Sequence, residues 1–102
     1  MNVQEYADFV LSNIGRATLA NALNIADKIG DGKSYKAVDF VNSLLVSVDN
    51  RVSCGKLDKK VSYSVIGAIA ECMKDLESPK NYNERMIMDN LIIGLWEAYC
   101  GS

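Results

Sequence analysis

The stretch Ser62–Leu76, SYSVIGAIAECMKDL, decides the fold class. Its apolar residues Ile66, Ile69, Ala70 and Met73, followed by Leu76, have the i, i+3, i+4, i+7 spacing of a helix with one apolar stripe. A half-buried strand would alternate every second residue instead. Ser62 stands where a helix N-cap is expected, and Val61 before it with Ile66 four positions on has the form of a hydrophobic staple. Pro79, the only proline in the chain, and Ser78 before it disfavour further helix, so the segment is bounded at both ends.

Helical spacing continues outward in both directions. Upstream, Ala37, Val38, Val41, Leu44, Leu45 and Val48 form a stripe, with Ser34 at the end of the GDGKS loop placed to cap it. At the N-terminus Asn2 and Glu5 have the spacing of a capping box ahead of Tyr6, Phe9, Val10 and Ile14. Gly15 ends or bends that helix. The stripe resumes with Leu19, Ala22, Leu23, Ala26 and Ile29, with Lys28 and Gly30 suited to a helix C-terminus. One bent helix or two short ones therefore fill residues 2–29. After Pro79, Asn81 and Glu84 repeat the capping-box spacing, and a last helix runs to about Ala98. Its Met86, Ile87, Met88, Leu91, Ile92, Ile93, Leu95 and Trp96 cover more than one stripe. A helix apolar around most of its circumference must be covered on several sides. Either it is the central helix of its own domain or one side faces a second subunit. The expectation is an all-α fold, a single domain over 1–102 built as a compact bundle of four to five helices and homodimeric.

Composition agrees with a folded domain: 102 residues, 49% hydrophobic and 24% charged. A net charge of −2 and a pI near 5.0 supply no basic field for polyphosphate, so no nucleic acid is expected as partner. The longest dense apolar run, Leu91–Trp96, is far short of the roughly 20 residues that cross a bilayer, so no membrane partner is expected either. The start, MNVQEYADFV, has neither a basic head nor an apolar block, which fits a cytosolic protein or an exported chain in mature form.

The chain has no histidine, which removes Ser-His, Cys-His and Asp-His catalytic pairs and most zinc sites together. Cys54, Cys72 and Cys100 have no CxxC spacing. In GDGKS, Gly32-Lys33-Ser34 resembles the end of a phosphate-binding loop, but Asp27 stands where its first glycine is required. Asp27, Asp31 and Gly32 match positions 1, 5 and 6 of a calcium loop, yet Ile29 and Val38 occupy positions needing oxygen ligands. A tight turn with a helix cap accounts for the segment. Glu71, Asp75 and Glu77 form an ordinary polar helix face. The expectation is no catalytic residue, no metal, no cofactor and no enzyme, which leaves binding or inhibition.

Cys54 and Cys100 lie at element ends, where a bond between them would close a loop of 47 residues, counted from 54 to 100, worth about 4 kcal/mol by chain entropy. Such a bond persists only in an oxidising compartment. Three reduced thiols in a cytosolic protein fit the same residues equally well.

The C-terminal half, about residues 38–100, resembles the Rap/Tai-type immunity proteins that protect bacteria against peptidoglycan-amidase toxins of type VI secretion systems. The resemblance rests on a loop cysteine (Cys54), a Val-Ser helix start (Val61, Ser62), a single proline after the helix (Pro79) and an aromatic-Cys terminus (Tyr99, Cys100). It implies a small helical homodimer in the periplasm, a disulfide between Cys54 and Cys100, and tight, steric inhibition of a cognate amidase toxin. Exposed polar loop residues are the expected partner contacts: Asp31, Lys33 and Tyr35 in one loop, Lys56, Asp58 and Lys59 in the other. The alternative from a different class is a cytosolic, possibly phage-encoded, helical adaptor or regulator with reduced thiols.

Overall fold

A computed structural model of the chain describes residues 2–30, 35–78 and 84–100. It is all-α. Helices α1 (Val3–Asn13), α2 (Leu19–Gly30), α3 (Ala37–Ser53), α4 (Lys59–Glu77) and α5 (Glu84–Cys100) follow in order, with a 3₁₀ turn at Ile14–Arg16 and no strand among the described residues.

Helix α1 begins on the expected capping box. Asn2 Oδ1 accepts from the Glu5 amide at 2.8 Å, and Glu5 Oε1 accepts from the Asn2 amide at 3.3 Å. The N-terminal segment is two helices rather than one bent helix, divided by the 3₁₀ turn that contains Gly15. There the chain runs close under α5: a Cβ on Gly15 would lie 3.5 Å from Tyr99 Cβ. The indole of Trp96 donates to the Ala17 carbonyl at 2.9 Å, which fixes the same junction from the other side.

Cap positions differ from expectation at two helices. Lys36 occupies the N-cap position of α3 with no side-chain capping bond, while Ser34 lies outside the described residues, as does Asn81 before α5. Helix α4 starts at Lys59, a turn earlier than the serine cap required, with Asp58 at the N-cap position. Ser62 is instead buried inside the first turn, its hydroxyl donating to the Lys59 carbonyl at 2.8 Å. Burial of that small hydroxyl against the core outweighs its capping preference.

Helix α5 is the centre of the bundle, packed against α2, α4 and the 3₁₀ turn. Its Ile87, Met88, Leu91, Ile92, Leu95 and Ala98 are buried, with Ile93, Trp96 and Tyr99 half-buried around them. The broad apolar surface of α5 is thus covered within the chain itself, and no second subunit is needed to explain it. Phe40, Leu44 and Val48 of α3, Val10 and Ile14 of the first segment, and Val65 and Ile69 of α4 complete the core. Each such side chain contributes roughly 1.5–3 kcal/mol on burial.

The inner face of α4 departs from the stripe read in the sequence. Val65, Ile69 and Cys72 are buried, whereas Ile66 is 44% exposed and Ala70 is exposed. Phe9, Leu19 and Val38 likewise sit outside the core, although helical spacing assigns them to inner stripes.

Candidate protein-binding surface

The expected contact residues divide between two ends of α3. Asp31 and Lys33 lie outside the described residues. Tyr35 is half-buried and stacks on Tyr6, ring centroids 5.0 Å apart, and Tyr6 in turn lies against Phe40. Tyr35 thus closes the core beside α1. The phenol of Tyr6 is held above its ordinary pKa by burial and by Tyr35 beside it.

Lys56, Asp58 and Lys59 are all exposed, Lys56 and Asp58 on the short α3–α4 connection and Lys59, expected in the loop, as the first residue of α4. That connection is set by backbone bonding. Gly55, with φ +71°, is the only described residue in the left-handed region. Its amide donates to the Val52 carbonyl at 3.1 Å, and the Lys56 amide reaches back to the Arg51 carbonyl at 2.8 Å. This paired closure satisfies the last carbonyls of α3 and turns the chain sharply toward α4. Cys54 is polar-flanked and exposed because it is the C-cap of α3, its amide bonded to the Asn50 carbonyl at 3.0 Å.

Beside the connection runs a polar groove of about 310 Å³ lined by Asp8, Ser12, Ser47, Asn50, Arg51, Cys54 and Lys56. It lies along a seam where α1 and α3 run parallel. Gln4 Nε2 donates to Ser47 Oγ at 2.7 Å and to the Ser43 carbonyl at 3.2 Å, and Ser47 Oγ donates to Asp8 Oδ1 at 2.5 Å. Arg51 donates to Ser12 Oγ at 2.9 Å and to the Asp8 carbonyl at 3.3 Å. Ser47 is buried with its hydroxyl used both as donor and as acceptor, so the network clamps α1 to α3 and holds the groove's floor rigid. Sequence spacing gave no sign of this clamp, because its members lie about 40 residues apart.

The Cys54–Cys100 disulfide implied by the family resemblance is not formed, which corrects that expectation: all three cysteines are free thiols. The two sulfurs serve different places. Cys100 Sγ donates to the Gly15 carbonyl at 3.6 Å at the end of α5, whereas Cys54 caps α3 at the groove. The Cys72 thiol is buried in α4, and burial, with a smaller contribution from Asp75, pushes its pKa up to about 12. It is a core side chain and a poor nucleophile.

A second groove, about 270 Å³, lies between α4 and α5, with Glu71, Asp75 and Asn90 at its rim. There the helices approach closely: a Cβ on Gly94 would come within 3.1 Å of Ala68 Cβ. On the other flank of α5, Arg85 pairs with Asp27 of α2 at 3.0 Å, and Asp89 lies one turn further on. Burial and the nearby Asp27 raise the Asp89 carboxyl above the usual carboxylate range, against a smaller opposing pull from Arg85. Its Oδ1 is buried without a hydrogen-bond partner. Among the described residues no three His, Cys, Asp or Glu side chains are grouped to hold a metal ion, and no helix is long and apolar enough to cross a membrane.

No protein-family model, curated protein or solved structure matches the chain.

Proposed function

We propose that the protein acts by binding another protein, as an immunity protein that sterically blocks a peptidoglycan-amidase toxin in the periplasm. The observation that carries this reading is the α3–α4 junction, where Lys56 and Asp58 on a glycine-locked turn and Lys59 at the start of α4 are exposed beside a clamped polar groove. A rigid, polar projection loses little conformational entropy on docking and suits insertion into an enzyme cleft. The absence of histidine from the chain supports binding over catalysis. The identity of the bound enzyme comes from the family resemblance of residues 38–100.

The free Cys54 and Cys100 thiols favour a second reading, a helical adaptor or regulator working in a reducing compartment. Cell fractionation separates the two: the inhibitor is recovered with the periplasmic fraction, the adaptor with the cytosol.

The direct test is co-expression with the product of the neighbouring gene. Protection from lysis and a co-eluting complex on gel filtration are expected. Lys56→Glu should weaken that complex by roughly tenfold with an unchanged circular dichroism spectrum. Absence of both protection and complex would sink the inhibitor reading, and unchanged affinity of Lys56→Glu would remove this connection from the contact surface.

A further inference from the structure

The groove between α4 and α5 has the make-up of a receptor for one long side chain. The close approach of Gly94 to Ala68 shuts one end of it, and from there it runs toward the end of α4 and the start of α5. Its floor is apolar: Cys72, Ile87 and Leu91 are each at most 5% exposed. Its rim is polar, with Glu71 and Asn90 exposed and Asp75 half-buried. At about 270 Å³ it is smaller than the roughly 300–1,000 Å³ of sites for drug-sized ligands.

Every charged residue of the lining is acidic. Glu71 and Asp75 stand four residues apart on one face of α4, a spacing that puts their Cβ atoms about 5–6 Å apart. Neither has an ion-pair partner among the described residues. The Asp75 charge acts on the buried Cys72 thiol, so carboxylate and sulfur share one wall, and that thiol makes no hydrogen bond among the described residues. The neighbouring cations do not fill the groove. Lys74 is exposed on α4 outside the lining, and Arg85, the one cation of α5, pairs with Asp27 on the opposite flank.

We propose that this groove receives an arginine side chain of a partner protein, its methylenes over Cys72, Ile87 and Leu91 and its guanidinium at Glu71, Asp75 and Asn90. The planar fork carries five donors, enough to bond both carboxylates and the Asn90 carbonyl oxygen together, and it is more weakly hydrated than an ammonium. The apolar floor suits the stem of a long cationic side chain, which buries its methylenes and keeps its head at the polar edge. A free polyamine fits less well, because charge at both of its ends sets one of them against the apolar floor. The groove begins nine residues beyond Lys59, about 14 Å along α4, so it is a contact separate from the basic α3–α4 junction and opposite to it in sign. This inference rests on the protein-binding reading but on neither the toxin nor the compartment, and a peptide titration can fail while co-expression succeeds, or the reverse.

Titration of the nitrogen-15-labelled full chain with the peptide acetyl-Ala-Ala-Arg-Ala-Ala-amide, followed by NMR, provides the test. Amide shifts grouped at Glu71, Cys72, Asp75, Asn90 and Gly94, with a Kd in the millimolar range, are expected. Glu71→Gln and Asp75→Asn should each weaken binding by roughly threefold to tenfold, and the double variant by more. Glu77→Gln, which removes a carboxylate of α4 outside the groove, should leave the affinity unchanged. A peptide with citrulline in place of arginine keeps the shape without the charge and should not bind. Should the double variant lose its helical circular dichroism, Glu71→Gln at its exposed position carries the comparison. No shifts at the groove, equal binding of the citrulline peptide, a lysine peptide as tight as the arginine one, or an affinity indifferent to the rim variants would overturn the proposal. Spermidine binding more tightly than the arginine peptide would overturn it in favour of a free polyamine.

Discussion

Helices α4 and α5 are similar in length, 19 and 17 residues, and both carry more apolar surface than one stripe requires. They use it differently. Helix α5 is surrounded by α2, α4 and the 3₁₀ turn, so its surplus becomes core. Helix α4 packs chiefly against α3 and α5, so Val65, Ile69 and Cys72 are buried while Tyr63, Ile66 and Ala70 are exposed. An excess of apolar residues is therefore enclosed or left exposed according to the number of neighbours the helix has. The amino-acid pattern of the helix alone does not distinguish them.

Truncation should break this symmetry most visibly. Leu95→Ala, at a fully buried position of α5, is expected to cost about 2–5 kcal/mol, a fall in Tm of at least roughly 10 °C. Ile66→Ala on the exposed face of α4 should stay within about 0.5 kcal/mol. Equal losses at the two positions, read by thermal denaturation, would refute the division of roles.

The contact between the two helices gives the next largest effect. Gly94 lets α5 approach Ala68 of α4, and a branched side chain must push them apart. Gly94→Val is expected to cost about 1–3 kcal/mol by urea titration. A stability equal to wild type would mean that the helices separate freely.

The smallest effect sharpens the picture on the flank of α5 that faces α2. Because the folded protein raises the Asp89 pKa, folding favours the protonated acid. That contribution is complete below the unfolded pKa and is lost as pH rises through the folded value. Ionised Asp89 with a buried, unpartnered oxygen therefore costs stability at neutral pH. Asp89→Asn should raise Tm slightly at pH 7, by less than about 1 kcal/mol of stability, with the gain shrinking toward pH 3. A gain that is the same at both pH values would place its cause elsewhere.

The helix class was legible because the apolar spacing repeats over many turns, and the start of α1 because Asn2 and Glu5 are a purely local pair. The α4 start was misplaced because Ser62, a good cap in isolation, is more useful buried, a choice made by the core around it. The face of α4 was misplaced for a related reason. Ile66, Ala70 and Met73 make as regular a stripe as Val65, Ile69 and Cys72, and the two differ by less than a third of a turn. Of the expected contact residues, Lys56 and Asp58 are exposed in the turn that loop composition indicates, whereas Lys59 is exposed as the first residue of α4. Tyr35 was not, since its stacking on Tyr6 joins residues 29 positions apart in the chain.

The sequence by itself determined that this protein is helical, where most helices lie, and that histidine-dependent chemistry is unavailable to it, because these follow from local spacing and from which side chains exist at all. Only the tertiary structure decided which apolar stripe of α4 is core, that α5 is enclosed by its own chain, and that Gln4, Asp8, Ser47 and Arg51 form a clamp beside Cys54. Those outcomes depend on which helices meet, and a helix with two comparable faces buries whichever one its neighbours cover.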